Sequence, residues 1–310
     1  MSHNLGPRPL TLLQQTAVNG ARLFFGSLTG ALRLVRGSPP QGWRTLRYGL
    51  KRDEILDFHA VHGEIAHRHP VVFLHGGAWM MGTKDFYSHD LLFLPEAGFP
   101  VFNVEYPKAP EYPHPWVLRS VLEALAFVGS LREGAGAVHV MGDSAGGNLA
   151  IMAAVLASNP HLIAAVDPGF DPKRLPRIVS ATSIYGVLDR ASCMRGHFPG
   201  GPTMLEAYGG PEALAETVTA ERAITPMDLT FGAHPPVFLS CGEHDPIVCS
   251  TNEYAARLER EGHKVTRKIY AGATHGYFNF PDGPTKAQSQ RDLVAFLKDV
   301  EEPAHSRTGG

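Results

Sequence analysis

The amino-acid sequence predicts an α/β fold with a mostly parallel central sheet that is covered by helices on both faces. From about residue 45, short runs rich in β-branched residues alternate with stretches of helical periodicity, the order that parallel sheets require. Hydrophobic residues make up 44% of the 310 residues, which allows a large buried core. We therefore expect one α/β domain formed by residues 1–310.

The elements of this domain follow from apolar runs and their periodicity. The expected strands are Val71–Leu74, Val101–Val104, Val138–Met141, Ile178–Ile184, Val237–Cys241 and Val265–Ile269. The expected helices are Pro115–Leu131, Asn148–Ala157, Thr251–Glu261 and Ser289–Val300. Between Asp189 and Gly232, glycine and proline clusters with one short helical stretch, Glu212–Glu221, predict an insertion above the sheet. The polar tail 301–310 is expected to be disordered.

Residues 10–36 predict one or two amphipathic helices before the alternating region. Apolar residues recur there at steps of three and four, which places them on one face: Leu13, Ala17, Ala21, Phe24, Leu28, Leu32 and Val35. Glycine weakens a helix, and three glycines favour a break here: Gly20, Gly26 and Gly30.

The basic residues of this segment leave two interpretations open. Arg22, Arg33 and Arg36 fall within an arc of about 60° beside the apolar face. No acidic residue precedes Asp53, which is typical of an organellar transit peptide. A helical lid over an apolar pocket needs the same apolar face, and we favour this second interpretation.

Composition restricts the partners of the chain. A formal net charge of -2 disfavours nucleic acid as a partner and favours a small neutral ligand. The oligomeric state stays open, and a dimer is one of the alternatives. No apolar run reaches the roughly 18 residues of a membrane span. Three cysteines form no disulfide framework, so a reducing compartment such as the cytoplasm is expected. Cys241, His244 and Cys249 lie close in sequence, but we expect unrelated neighbours, and we predict no metal site and no cofactor.

A candidate nucleophile stands between a predicted strand and a predicted helix. Gly142-Asp143-Ser144-Ala145-Gly146 matches G-x-S-x-G, in which a tight turn lifts the serine above the sheet. Small neighbours are needed because the backbone passes close to itself. We interpret Ser144 as the nucleophile and Asp143 as a hydrogen-bond acceptor within the loop.

A second glycine-containing loop is a candidate oxyanion hole. His75-Gly76-Gly77-Ala78-Trp79 follows the strand Val71–Leu74. Glycines allow backbone N–H groups to turn inward without a side chain in the way. We expect Gly76 and Gly77 to donate to an oxyanion, with the N–H of Ala145 as a third donor.

The candidate acid and base follow the last two predicted strands. Asp245 comes just after Val237–Cys241, and His275 comes just after Val265–Ile269, so the chain order is Ser, Asp, His. Loops at the carboxyl ends of parallel strands meet at one edge of the sheet. Glu243 lies nearer the strand end and His244 precedes the acid, so we disfavour them as substitutes.

Together these motifs resemble the hormone-sensitive-lipase-like carboxylesterases, which have the α/β-hydrolase fold, from about Val71 to Phe280. The H-G-G-G loop of that family corresponds to His75–Ala78, with Ala78 in place of the third glycine, and its G-D-S-A-G-G-N motif is complete from Gly142 to Asn148. Its D-P-L and H-G-F motifs are similar to Asp245-Pro246-Ile247 and His275-Gly276-Tyr277. The resemblance implies a lid built from residues 1–44 and 190–232 over a core of residues 45–189 and 233–300.

The resemblance and the motifs imply a serine carboxylesterase that hydrolyses short- to medium-chain apolar esters through an acyl-enzyme. We expect its apolar pocket to be lined by Trp79, Met80, Phe86, Tyr87 and Tyr185. Two alternatives stay open. The same triad could cleave aryl or formyl amides, and the fold also includes non-catalytic small-molecule receptors, which could do without the base His275.

Overall fold

The computed structural model of the chain describes residues 11–61, 68–134, 136–167, 169–195, 198–279 and 283–302. The side chains of Leu13 and Arg33 and most of the predicted tail, residues 303–310, lie outside this description. Glu301, which was expected in the tail, is instead the last residue of a helix, and its carboxylate accepts hydrogen bonds from the backbone N–H of His69 and from Arg68.

Eight strands form one sheet. In chain order they are β1 Trp43–Arg47, β2 Ile55–His59, β3 Val71–Leu74, β4 Val101–Val104, β5 Ala137–Asp143, β6 Arg177–Ile184, β7 Val237–Gly242 and β8 Val265–Tyr270. Their order in the sheet is β1-β2-β4-β3-β5-β6-β7-β8. All pairs from β4 to β8 are parallel, whereas β1 with β2 and β2 with β4 are antiparallel. The prediction of a mostly parallel sheet is confirmed, and each of the six predicted strands lies at its predicted place.

The sequence did not predict β1 and β2, which form an antiparallel hairpin at one edge of the sheet. Both strands contain charged or polar residues, so neither of them appears in the sequence as an apolar run. Asp57 is buried in β2 because its carboxylate accepts hydrogen bonds from Thr45, at 2.6 Å, and from Lys84, at 2.6 Å. The hairpin is therefore held by paired polar groups as well as by apolar burial.

The helices cover both faces of the sheet. They are α1 Leu12–Arg36, α2 Phe93–Glu96, α3 Trp116–Ser130, α4 Ala145–Ser158, α5 Pro160–Val166, α6 Arg190–Arg195, α7 Gly201–Gly209, α8 Val248–Arg260 and α9 Pro284–Glu301. In β3, Val72 and Leu74 belong to the same buried cluster as α3, α4 and α8. Val71 and Phe73 belong to a second cluster together with α9. Side chains alternate along a strand, so one strand contributes to both cores.

The N-terminal segment forms one uninterrupted helix, α1, so the expected break at its glycines is wrong. A methyl group at Gly20, Gly26 or Gly30 would meet no atom within 4 Å, which shows that the three glycines face open space. Each glycine costs the helix about 1 kcal/mol relative to alanine. Contacts on the opposite face of α1 offset this cost.

The face of α1 that contacts the core is rotated relative to the predicted one. Val18 is buried, and Phe25 and Leu28 are half-buried. Phe24 and Val35, which were expected on the inner face, are 73% and 85% exposed. The helix carries apolar residues on more than one side, so periodicity could not select the side that packs.

Two arginines fix α1 to the core. Arg22 donates to the carbonyl oxygens of Met80 and Ala109 and makes a two-pronged ion pair with Glu111. Fourteen residues further on, Arg36 pairs with buried Asp90 at 2.8 Å. Of the basic residues beside the apolar face, Arg22 and Arg36 therefore have structural partners elsewhere in the fold.

The segment 189–232 interrupts the alternation of strands and helices, as expected, but its helices lie elsewhere. In place of a helix at Glu212–Glu221 there are two separate 3₁₀ turns, Pro211–Leu214 and Ala220–Arg222. The intervening residues include the β-branched run Thr217-Val218-Thr219, which disfavours a helix. The helices of this segment are α6 and α7.

None of the described helices is by itself long and apolar enough to cross a membrane. Helices α4 and α5 satisfy the length and composition criteria only as a pair, and they are bent by 119° at the break between them.

Candidate active site

Ser144 lies at the turn between β5 and α4, where its backbone adopts φ 50° and ψ -121°. Its N–H donates to the carbonyl oxygen of Ile184 in the neighbouring strand, at 2.8 Å. The turn requires a glycine two residues later, because a Cβ on Gly146 would lie 2.0 Å from the carbonyl oxygen of Leu74. The G-x-S-x-G pattern is thus the sequence of a tight elbow that lifts the serine side chain above the sheet.

Three side chains from separate loops form one hydrogen-bonded chain. Nε2 of His275 lies 3.0 Å from Oγ of Ser144. Nδ1 of the same imidazole lies 2.7 Å from Oδ2 of Asp245. The three loops follow β5, β7 and β8, so parallel strands bring residues 131 positions apart to one edge of the sheet. The structure thus brings together the three residues that the sequence nominated.

Asp245 is held by contacts to both carboxylate oxygens. Its side chain is buried, and Oδ1 accepts the backbone N–H of Ile247 at 3.0 Å while Oδ2 faces His275. Glu243 and His244 are exposed. Glu243 accepts the backbone N–H of Gly272 at 2.9 Å, so it supports a neighbouring loop and does not contact the imidazole.

The loop after β3 turns its backbone toward the serine. Gly77 has a φ of 125°, and a Cβ there would lie 2.1 Å from the carbonyl oxygen of Met81. Ala78 follows at a φ of 52°. Among the described residues, no acceptor is hydrogen-bonded to the N–H of Gly77, Ala78 or Ala145. These three residues border the same cavity as Ser144.

Gly76 does not have the role that the sequence suggested. Its N–H donates to Oδ1 of Asp143 at 2.7 Å and approaches the hydroxyl of Tyr87 at 3.1 Å. An N–H group engaged in this way is not available to an oxyanion. The expectation of Gly76 as an oxyanion donor is therefore corrected, and the glycine is needed because a Cβ would lie 2.7 Å from Asp143.

Asp143 is the centre of a buried polar network that supports this loop. Its carboxylate accepts hydrogen bonds from Gly76, from the Tyr87 hydroxyl at 3.1 Å and from the Asn279 amide at 2.9 Å. Burial raises the pKa of Asp143, and these hydrogen bonds oppose the rise. The interpretation of Asp143 as a loop acceptor agrees with these contacts. Asn279, two residues beyond the His275-Gly276-Tyr277 motif, carried no sequence signal.

A mainly apolar cavity of about 200 Å³ opens beside Ser144 and His275. Four of the five predicted pocket residues border it: Trp79, Phe86, Tyr87 and Tyr185. Met80 does not border this cavity and instead lines a separate, polar cleft next to Arg22. The alternation of neighbouring side chains at the loop explains this difference, because Trp79 and Met80 leave the backbone in different directions.

Among the other residues of the cavity wall, the sequence singled out Leu28 but not Phe25, Phe198 or Met204. Phe25 and Leu28 of α1 border the cavity from one side, and Phe198 and Met204 from the segment around α7 border it from another. The Phe198 ring lies 5.0 Å from the imidazole of His275. Periodicity identified α1 as apolar, but the direction of each side chain depends on tertiary packing.

The cysteines do not form a ligand set. Burial raises the pKa of Cys193 to about 11 and also raises that of Cys241, so both are thiols at neutral pH. Within the part of the chain that the structure describes, one group of three potential ligands has its donor atoms within 4.8 Å of one another: His69, His139 and Glu301. Arg68 already donates to this glutamate at 3.1 Å.

Known proteins share this fold. A family model described as alpha/beta hydrolase fold matches residues 71–279. Ethyl acetate hydrolase from Pseudomonas putida is 31% identical over 248 residues, which cover 75% of this chain and 72% of that protein. A bacterial heroin esterase structure superposes with a TM-score of 0.72 at 24% identity, covering 92% of each chain.

Esterase B from Lactobacillus rhamnosis superposes with a TM-score of 0.77 at 16% identity, covering 93% of this chain and 95% of that one. The two solved structures are evidence for the fold alone, because their identity is low. The match to the family model, residues 71–279, extends over the elbow at Ser144, the loop after β3 and the loops that carry Asp245 and His275. The chain therefore belongs to the α/β-hydrolase family and, within it, to the hormone-sensitive-lipase-like carboxylesterases.

Proposed function

We propose that the protein is a serine carboxylesterase in which Ser144 is the nucleophile, His275 the general base and Asp245 the acid that orients the imidazole. One observation carries this proposal. The hydrogen-bonded chain from Ser144 through His275 to Asp245 opens into an apolar cavity at the carboxyl edge of the sheet. A general base within hydrogen-bond reach of a hydroxyl is the geometry that nucleophilic catalysis needs.

In the acylation step, Nε2 of His275 removes the proton from Ser144 as Oγ attacks the ester carbonyl carbon. The carbonyl oxygen becomes an oxyanion, for which we propose the N–H groups of Gly77, Ala78 and Ala145 as donors. When the tetrahedral intermediate collapses, the bond to the alcohol oxygen breaks. The imidazolium returns its proton to that oxygen, and the acyl group remains on Ser144.

Deacylation repeats the sequence with water as the nucleophile. His275 accepts a proton from the water, the hydroxide oxygen attacks the acyl carbon, and the carboxylic acid leaves as Ser144 regains its proton. Throughout, Asp245 keeps Nδ1 protonated and stabilises the imidazolium without taking a proton itself. The contacts to both of its oxygens support this orienting role.

The cavity supports uncharged substrates with a short or medium acyl chain. The described residues that border it include aromatic and aliphatic side chains and the buried Asp143, but no arginine or lysine. A volume of about 200 Å³ suits a small apolar group and excludes bulky ones. The name of the Pseudomonas relative, an ethyl acetate hydrolase, agrees with a small ester as substrate. The presence of a positioned base favours an enzyme over a non-catalytic receptor.

A single substitution tests the assignment of the nucleophile. Ser144→Ala is expected to abolish covalent labelling by a fluorophosphonate. It should also reduce hydrolysis of p-nitrophenyl esters to the residual rate that the oxyanion hole and substrate binding supply, which is roughly 10³–10⁴-fold above the uncatalysed rate. Circular dichroism checks that the variant is folded. Ester hydrolysis at the wild-type rate in the folded variant would disprove the proposal. A parallel panel of p-nitroanilides tests amide cleavage by the same site.

A further inference from the structure

The outward side of α1 is an exposed apolar surface. Leu12, Leu23, Phe24, Leu34 and Val35 are between 73% and 89% exposed. Among the described residues, these five and Leu50 account for six of the eight exposed large hydrophobic side chains. Single exposed leucines are common in proteins, but a concentration of them on one segment marks an interaction site.

The helical repeat places these five side chains within about 140° of the circumference of α1, with the three leucines closest together. At about 100° per residue, Leu12, Leu23 and Leu34 fall within an arc of about 40° and extend over about 33 Å of helix. The inward residues Val18 and Phe25 lie on the opposite side. A surface helix of a globular domain normally carries polar residues outside, so the outer face of α1 departs from that pattern.

The charge of the N-terminal sequence that contains this face is one-sided. Eight of the 28 basic residues and none of the 30 acidic residues lie among the first 52 residues, so the remainder of the chain carries 20 basic and 30 acidic residues. Arg22 and Arg36 form ion pairs with other parts of the fold. In contrast, Arg44, Arg47 and Arg52 are exposed. The segment that contains α1 and the first strand of the hairpin is therefore basic, whereas acidic residues from the remainder of the chain, Asp53, Asp85 and Glu111, also line the cleft beside α1.

The exposed arginines belong to the β1–β2 hairpin, which lies beside α1. Arg47 and Arg52 line the same cleft as Gly26 and Thr29 of the helix. Between these two arginines, at the tip of the hairpin, Leu50 is fully exposed. We call the outer face of α1 together with this hairpin tip the basic apolar face. It combines leucines and a phenylalanine with exposed arginines, and Asp53 in the hairpin turn lines the same cleft as two of these arginines.

We infer that the basic apolar face docks onto an anionic lipid surface. Apolar side chains on one side of a helix, flanked by basic residues, are the features of a helix that lies in the plane of a membrane interface. A second copy meeting this face through its own would bring two groups of exposed arginines together, and like charges would oppose that contact. An anionic bilayer supplies both an apolar interior for the leucines and negative charge for the arginines.

Docking in this orientation would place lipid directly over the helix that roofs the cavity. The inner side of α1 borders the cavity through Phe25, Leu28 and Thr29. Esters that partition into a bilayer would then be concentrated next to the active site. The binding itself requires no turnover, so it can be tested independently of the proposed esterase activity.

Vesicle sedimentation with the full chain tests the inference. The wild-type protein is expected to bind vesicles of phosphatidylglycerol and phosphatidylcholine, to bind vesicles of phosphatidylcholine alone much more weakly, and to lose affinity at 0.5 M NaCl. Leu23→Ser combined with Leu34→Ser should reduce binding at least tenfold. Arg47→Gln combined with Arg52→Gln should reduce it about 20-fold, since each basic residue near an anionic surface contributes about fivefold.

Ile269→Ser is the matched control, because Ile269 is an exposed apolar residue on the edge strand β8, far from α1 in the sheet order. This variant is expected to bind vesicles as the wild type does, and circular dichroism verifies that every variant is folded. Absence of binding by the wild type, or equal binding by the leucine variant, would overturn the inference. So would a dimer in light scattering that Leu23→Ser dissociates, because the face would then belong to a second copy.

Discussion

Asp245 keeps one orientation because each of its carboxylate oxygens has a separate partner. Oδ1 accepts the N–H of Ile247, and Oδ2 faces Nδ1 of His275. Only a carboxylate can accept a hydrogen bond at both positions, so the imidazole is held in the tautomer that presents an unprotonated Nε2 to Ser144.

Asp245→Asn is therefore expected to lower kcat by about 10⁴-fold, the size of effect that follows when an orienting aspartate is replaced and the wrong tautomer is favoured. Glu243→Gln is the matched control, since Glu243 is exposed and a glutamine oxygen can still accept the N–H of Gly272. Steady-state kinetics with p-nitrophenyl butyrate compares the two. If the Glu243 variant were inactive and the Asp245 variant active, the acid would be misassigned.

The sequence predicted the role of individual residues best where a candidate residue directly follows a predicted strand. Ser144, Asp245 and His275 could be nominated because the order of strands determines which loops meet at one edge. Gly76 could not be distinguished from Gly77, because the difference lies in which N–H group Asp143 accepts. That hydrogen bond links residues 67 positions apart in the chain.

Helix α1 has two apolar sides with different surroundings. Phe25 and Leu28 face the cavity, whereas the adjacent Leu23 is 73% exposed. Periodicity predicted the helix but assigned Phe24 and Val35 to the wrong side. A helix with apolar residues around much of its circumference gives no unique direction from sequence alone, and the arginine contacts to Glu111 and Asp90 determine its rotation.

The combined substitution Phe25→Ala and Leu28→Ala should lower kcat/KM for octanoate esters at least tenfold more than for acetate esters. A long acyl chain loses roughly 0.8 kcal/mol for each CH₂ that is no longer buried, whereas an acetyl group scarcely reaches the roof. Leu23→Ala is the control on the outward side of the same helix. Parallel losses across acetate, butyrate, hexanoate and octanoate esters would show that α1 does not contribute to acyl binding, as a transit peptide would not.

The whole molecule buries several neutral histidines that the unfolded chain can protonate. Burial lowers the pKa of His114 to about 4 and likewise lowers the pKa of His234 to about 4. Since both values lie below the ordinary value near 6.5, the unfolded state binds more protons at mildly acidic pH. The stability from these two residues is complete above about pH 6.5 and is lost as the pH falls toward 4.

Between pH 7.5 and pH 5, the two histidines together should reduce the free energy of unfolding by about 4 kcal/mol. Urea denaturation at both pH values measures this difference for the wild type. His114→Asn and His234→Asn should each reduce the difference by about half, whatever their effect at pH 7.5. His161→Asn, a substitution at an exposed position of α5, should leave the difference unchanged. An unchanged difference in the two buried variants would contradict the assignment.

The parallel strands were predictable because short buried runs of β-branched residues seldom form any element other than a strand. The hairpin of β1 and β2 was not, since its stability depends on partners such as Lys84 that lie elsewhere in the chain. The insertion between β6 and β7 was expected, but its helices were not located correctly. Glycine and proline mark where regular structure ends more clearly than they mark where a new helix begins.

The elbow at Ser144 has a consequence for folding thermodynamics. Backbone angles of φ 50° and ψ -121° are accessible to glycine but cost other residues roughly 1–3 kcal/mol. In an ordinary position, replacing alanine by glycine lowers stability by roughly 0.5–1 kcal/mol. At this position the order should be reversed, so Ser144→Gly should melt at a higher temperature than Ser144→Ala, although neither variant has a nucleophile. Calorimetry of the two variants measures their melting temperatures directly. A higher melting temperature for Ser144→Ala would mean that the turn relaxes once the hydroxyl is gone. The residue that we propose as the nucleophile is thus one at which glycine, which has no hydroxyl, would give a more stable fold.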